Sequence, residues 1–280
     1  MYKYKNRGML SVFTPAEVAK NVIGIGKAKT SMTSGKLFFL GILAGMFIAF
    51  AAVGSTTVTA FMQSAGAARI IGACVFPAGL SMVLVAGSEL FTGNCLIAVS
   101  VLSGESRFSQ MIRNWICVYI GNFVGAMIVA LMMSGSGLFS LSSGAAAAAA
   151  VSTAASKCSL SFVSALLRGI MCNFLVCIAV WMSFAAKTVS GKIIGAFFPV
   201  MLFVLCGFEH SVANMYYIPA GLFASNSAAF ASVGGAVPEC LTWGAFFVKN
   251  LIPVTLGNII GGCVFVGAVY WGVYLREGKK

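Results

Sequence analysis

Charge is scarce in this 280-residue chain. Acidic and basic residues together make up 9% of it, six acidic against eighteen basic, and there is a single histidine. Hydrophobic residues make up 60%, and the mean hydropathy is +0.98. Too little polar surface remains to coat a soluble globule. Cys-x-x-Cys pairs are absent. Cys74, Cys95, Cys117, Cys158, Cys172, Cys177, Cys206, Cys240 and Cys263 are scattered singly, which argues against a disulfide framework or a metal site and leaves them as small core residues. No Asn-Pro-Ala motif occurs, which argues against a water or glycerol channel. Between Met1 and Lys36 no compact apolar stretch meets a small-residue cleavage site, so no signal peptide is expected and the N-terminus reads as mature sequence. The basic residues lie in connectors and ends rather than along one aromatic-laced face, so nucleic acid is not the expected partner.

What is present is apolar length. A bilayer asks for about 20 apolar residues per helix, and the candidate spans are 37–61, 70–103, 114–133, 162–186, 193–224 and 250–273. The second and fifth are overlong and contain Pro77 and Pro199, so each is expected to be broken. Alternating the connectors across the membrane puts fourteen basic residues on one side, Lys3 to Lys36, Arg107, Arg113, Lys187, Lys192, Arg276, Lys279 and Lys280 among them. Only Arg69, Lys157 and Lys249 fall on the other, with Arg168 near a helix end. That asymmetry places both termini in the cytoplasm. The expectation is an all-α polytopic protein of a lipid bilayer, with a 1–36 cytoplasmic segment, a 37–133 three-span repeat, a 134–161 outer connector with six consecutive alanines, a 162–273 second repeat and a 274–280 tail. Thr14-Pro15-Ala16-Glu17 is a capping box with proline at the first helical position. The amphipathic helix it starts would be a lipid-surface anchor or a plug under a pore.

The lone histidine lies in Gly207-Phe208-Glu209-His210-Ser211-Val212-Ala213-Asn214, and Gly87-Ser88-Glu89-Leu90-Phe91-Thr92-Gly93-Asn94 shares its Gly-x-Glu-x-x-x-x-Asn frame. Each copy follows a Phe-Pro pair, Phe76-Pro77 or Phe198-Pro199. Farther on, Asn114 to Gly125 matches Asn250 to Gly261 with Asn122 opposite Asn258, while the first and fourth spans agree only through Gly41-Ile42 and Gly169-Ile170. Three spans per half is an odd number, so the second half must enter the membrane upside down. Inverted repeats of this kind place their site where two broken helices meet near the midplane.

Broken helices expose backbone polar groups that only protein or a wet cavity can satisfy. Half-helices starting near Ser88 and Glu209 would turn N–H groups and positive dipole ends inward, favouring an anion. Thr92 adds a hydroxyl, and Asn94 and Asn214 add amides. A titratable group at membrane depth is costly and is read as functional before inert, which singles out His210. Glu89 and Glu209 read instead as structural acceptors for backbone N–H groups freed by the breaks. Phe76, Leu80 and Phe203 are hydrophobic constrictions or ordinary packing. Gly41/Gly45, Gly121/Gly125 and Gly257/Gly261 are close-packing pairs. An intramembrane enzyme using Cys206 and His210, one turn apart on a continuous helix, is the competing class.

The run Phe203 to Met215, the segment Gly87 to Thr92 and the run Asn250 to Gly262 resemble the formate/nitrite transporter family, and among its members the formate channels most closely. The resemblance implies an aquaporin-like homopentamer in a bacterial inner membrane, with one pore per six-helix protomer and no cofactor, passing formate or a similar small anion and coupling passage to protonation at the histidine. Carried over by position, His210 is the central pore histidine and Thr92 its hydroxyl neighbour. Leu80 and Phe76 form the cytoplasmic constriction and Phe203 the periplasmic one. Lys157 attracts anions from outside, Glu209 and Asn214 complete the polar set, and Glu89, Asn94 and Asn258 support it. This chain reads Thr92-Gly93-Asn94 where the resemblance leads one to expect Thr-Ser-Thr, which keeps nitrite and hydrosulfide as alternatives.

Overall fold

A computed structural model describes residues 12–276. Lys3, Lys5, Arg7, Lys279 and Lys280, counted above for the charge asymmetry, and all but the start of the 274–280 tail lie outside the described residues. Among the described residues, six helices are long and apolar enough to cross a membrane: α2 (Ser34–Phe61), α3 (Ala65–Gly87), α5 (Phe108–Gly135), α7 (Phe162–Ala185), α8 (Val189–Cys206) and α10 (Ala245–Tyr274). Two further helices, α4 (Phe91–Leu102) and α9 (Ser211–Ser225), complete the second and fifth spans beyond their breaks. Both breaks follow a left-handed glycine, Gly87 at φ +84° and Gly207 at φ +71°. A side chain strains that conformation, which is the local reason the shared frame begins with glycine.

The halves are held by the same device. On α2, a Cβ added to Gly41 would lie 2.9 Å from the Val118 carbonyl, and one on Gly45 would fall inside the Asn122 carbonyl. Between α7 and α10, a Cβ on Gly169 of α7 would lie 2.8 Å from the Val254 carbonyl of α10, and one on Gly261 of α10 would overlap the Ile170 carbonyl of α7. Backbone-to-backbone approach of this kind is how helices associate without a hydrophobic driving force between them. In α10 the ladder widens to i→i+5 over Ala245–Leu251 and Ile260–Ala268. Pro253 withholds a donor between these stretches, and Gly262 presses against Cys95 and Asn173.

α1 (Pro15–Ser31) starts on the expected box. The Glu17 N–H donates to Thr14 Oγ1 at 3.3 Å and the Thr14 N–H to Glu17 Oε2 at 2.7 Å. Its apolar stripe, Val18, Ala19, Val22 and Gly26, is buried against protein, with Gly26 on Ser100 of α4, so α1 is not a helix lying flat on lipid. The 134–161 segment is likewise more than a connector. Its alanines build α6 (Ala145–Cys158), whose Ala147, Ala150, Ala154 and Cys158 are buried. Gly221 of α9 lets Ala150 and Ala154 approach the broken fifth span closely. Only alanine combines high helix propensity with so little bulk. α1 rests on α4 as α6 rests on α9, so each half carries a short helix ahead of its first span.

Candidate functional site

The duplicated frame closes two matching hydrogen-bond networks. In the first half, Lys29 of α1 pairs with Glu89 at 2.7 Å, Asn94 Nδ2 donates to Glu89 Oε2 at 2.7 Å and to Asn114 Oδ1 at 2.9 Å, and Asn114 Nδ2 donates to the Lys29 carbonyl at 3.3 Å. In the second half, Lys157 of α6 pairs with Glu209 at 2.9 Å, Asn214 Nδ2 donates to Glu209 Oε2 at 2.6 Å and to Asn250 Oδ1 at 2.7 Å, and Asn250 Nδ2 donates to the Lys157 carbonyl at 3.0 Å. The two glutamates therefore accept from lysine ammonium and asparagine amide groups, not from freed backbone N–H groups as the sequence suggested. Buried carboxylates need charge-matched donors, and the short helix ahead of each half supplies one.

The freed backbone groups go elsewhere. Asn122 Oδ1 accepts the Phe91 N–H at 2.9 Å while its Nδ2 donates to the Gly41 and Glu89 carbonyls. Asn258 does the same for the Ser211 N–H and the Gly169 and Glu209 carbonyls. The first N–H of each half-helix is thus already occupied, which removes it from the anion site expected there. The Glu89 and Glu209 N–H groups reach back to the Leu40 and Arg168 carbonyls.

The repeat is broken where the halves meet. Aligning Glu89 with Glu209 sets His210 opposite Leu90 and Thr92 opposite Val212. His210 Nε2 and Thr92 Oγ1 lie 3.0 Å apart and are buried. His210 Nδ1 accepts the Ala213 N–H at 3.0 Å, an N-cap for α9. A backbone amide can only donate, so Nδ1 carries no proton and Nε2–H points at the threonine hydroxyl. Asn173 and Cys177 hold the Thr92 carbonyl from behind.

Two cavities lie along the broken spans, one reaching Gly93 beside Thr92 and the other reaching His210. One, of about 390 Å³, is lined by Lys29, Lys36, Leu80, Ser88, Glu89 and Leu90 among others. The other, of about 540 Å³, is lined by Arg69, Phe76, Lys157, Arg168, Phe203, Glu209 and His210 among others. Phe76 therefore lies with Phe203, 5.7 Å between ring centroids, and not with Leu80 as expected. Phe203 in turn stacks on the His210 ring at 5.8 Å and 16°. Leu80 stands on the Lys29 side. Phe76 and Leu80 stand one turn apart on α3, about 6 Å along its axis, and that rise is enough for them to line different cavities. Lys157 sits on its expected cavity, yet its charge is matched by Glu209 and its ammonium lies 5.3 Å from the Tyr217 ring.

Lys29, Asn114, Asn250, Arg69 and Arg168 belong to the site and were not singled out from sequence. The two asparagines stood in register in the repeat, so their signal was available. Lys29 was not legible, because nothing in 1–36 resembles the alanine-rich stretch that carries Lys157.

A family model for formate/nitrite transporters matches residues 16–272. The chain belongs to the formate/nitrite transporter family. A probable formate transporter of Methanothermobacter thermautotrophicus is 39% identical over 94% of this chain and 98% of its own length. The formate channel FocA of Escherichia coli K12 is 41% identical over 94% and 95%. Among solved structures, a pentameric formate channel with formate bound superposes with a TM-score of 0.79 at 38% identity, covering 86% of this chain and 98% of that one. A family of membrane channels and transporters is not one of intramembrane enzymes. The structure agrees: α8 ends at Cys206 and the break separates it from His210, so no single helical turn joins thiol and imidazole.

Proposed function

We propose that this chain is a channel for small monovalent anions, with formate as its principal solute and nitrite and hydrosulfide as alternatives. We further propose that it works as a homopentamer, with one pore per protomer, in a bacterial cytoplasmic membrane with both termini inside. The observation that carries this reading is the buried His210–Thr92 pair, with one cavity reaching His210 and another reaching Gly93 beside Thr92, each bearing a lysine–glutamate pair. The relatives named as formate channels point to formate as the solute.

On this reading, the cations left over from the ion pairs, Arg69 and Arg168 in one cavity and Lys36 in the other, concentrate anions in each cavity. The Phe76–Phe203 collar and Leu80 with Leu90 then strip water from the solute, and a charged anion pays for that step far more than its neutral acid does. Nε2–H of His210 and the Thr92 hydroxyl replace lost water contacts. Full protonation of His210 requires a proton on Nδ1, which displaces the Ala213 N–H, so histidine charge and the start of α9 are coupled. The test is a liposome flux assay of formate, nitrite, hydrosulfide and lactate at two pH values, on the intact chain and on His210→Asn. The variant is expected to assemble and to lose pH-dependent uptake. An unchanged pH profile overturns the histidine's role, and absence of small-anion flux in the intact chain overturns the channel.

A further inference from the structure

We propose that the cavity on the Lys157 side is a carboxylate-binding vestibule in which the Arg168 guanidinium, flanked by Arg69, holds monocarboxylates before the collar and also takes up carboxylates too wide to pass it. The inference rests on the channel reading above and adds a recognition site to it.

The pseudo-symmetry isolates the arginine. Glu209 N–H donates to the carbonyl of Arg168 at 3.3 Å, and in the other half Glu89 N–H donates to the carbonyl of Leu40 at 3.2 Å. The fold needs only a carbonyl at this position, and an aliphatic residue supplies it equally well. Nothing in the break therefore calls for a guanidinium. Arg168 is nevertheless half-buried on the cavity wall, and among the described residues its guanidinium makes no hydrogen bond or ion pair. The other cations there are committed: Lys157 to Glu209, and Arg69 through Nε to the Leu205 carbonyl at 2.7 Å. That bond stops the last turn of α8 and lays the Arg69 guanidinium over Gly207, where a Cβ would meet Nη2 at 2.9 Å.

The balance of charge on this wall is three cations against one carboxylate, 3 − 1 = +2, whereas the opposite cavity has Lys29 and Lys36 against Glu89, 2 − 1 = +1, and no arginine. Lysine draws anions as a point charge, while arginine presents a planar fork that matches both oxygens of a carboxylate. Phe208 and Tyr217 line the same cavity, and at about 540 Å³ it exceeds the needs of a one-carbon acid many times over. A ring or branched chain fits between those faces with its carboxylate on Arg168, short of the Phe76–Phe203 collar. The site therefore binds wide monocarboxylates that block, alongside narrow ones that pass.

Purified protein is treated with the arginine reagent phenylglyoxal, with and without benzoate, and labelling is read residue by residue by mass spectrometry. Exposed Arg107, far along the chain from the cavity, serves as the internal reference. Benzoate is expected to protect Arg168 and leave Arg107 unchanged. In liposomes, benzoate should slow formate flux, and Arg168→Lys, which keeps the charge and loses the fork, should raise the half-blocking concentration about tenfold. Arg168→Leu, the residue type found at position 40, should assemble and lose protection and block altogether. Unprotected Arg168 in the intact protein, or equal block of the intact chain and Arg168→Lys, overturns the site. Protection of Arg168 without any formate flux would overturn the channel and leave the site standing.

Discussion

Removing the Glu209 charge should cost more than removing both charges of its ion pair. The Lys157 and Glu209 side chains are 14% and 4% exposed, and Glu209 also accepts from Asn214 at 2.6 Å and Asn250 at 3.2 Å. Glu209→Gln keeps the shape and one acceptor for those amides, but leaves the ammonium buried without a counter-charge. A broken buried pair costs about 3–5 kcal/mol, and contact with the cavity favours the low end, about 3 kcal/mol. For a chain of this size, about 2–4 °C of melting temperature accompanies each kcal/mol, so the expected drop is about 10 °C. Lys157→Met alone should cost less, because the stranded carboxylate retains its two amide donors. The double variant Lys157→Met/Glu209→Gln leaves no stranded charge at this break and should melt within about 3 °C of the intact chain, about 1 kcal/mol. Thermal unfolding in detergent, followed by tryptophan fluorescence from buried Trp115 and Trp181, measures all four proteins. A double variant as unstable as Glu209→Gln would show that the asparagine geometry, not charge compensation, dominates, and would refute the reasoning.

Gly45→Ala would place a methyl inside the Asn122 carbonyl, which also pulls Asn122 off the first break. No assembled protein should be recovered on gel filtration, whereas Gly24→Ala, in open space, should behave as the intact chain. Deleting residues 1–30 removes Lys29 and strands Glu89. The deletion should lower the melting temperature by several degrees rather than yield a stable open channel, and a stable deletion with raised flux would support the plug reading instead. Hydrogen bonds from the Thr14 backbone and side chain hold the Glu17 carboxyl below its ordinary value of 4.5. The cap therefore contributes fully above that value and is lost as pH falls through the lowered one. Protection of the Glu17 and Val18 amides against hydrogen exchange, relative to the intrinsic rate at each pH, should fall as the Glu17 carboxyl protonates in the intact chain and already be low at neutral pH in Thr14→Ala.

Much of this protein is written in local pattern. Apolar length sets six spans, the Gly-x-Glu frames mark the two breaks, and the matched Asn114 and Asn250 runs reveal the repeat, because helix length, left-handed glycine and hydrogen-bonding asparagine are demands a segment meets largely by itself. The capping box at Thr14 is equally local. Tertiary structure decided the rest. The partners of Glu89 and Glu209 come from helices 60 and 52 residues away, and nothing local distinguishes Lys29 from its neighbours Lys27 and Lys36. Phe76 and Leu80 stand one helical turn apart yet line different cavities, since the boundary between the cavities falls between those turns and is set by the helices packed around α3. The low-complexity alanines hid α6, because composition reports neither packing nor the one lysine that matters. Arg168 and Arg69 converge on a cavity from different halves of the chain, and only the crossing of the broken spans brings them to the same wall.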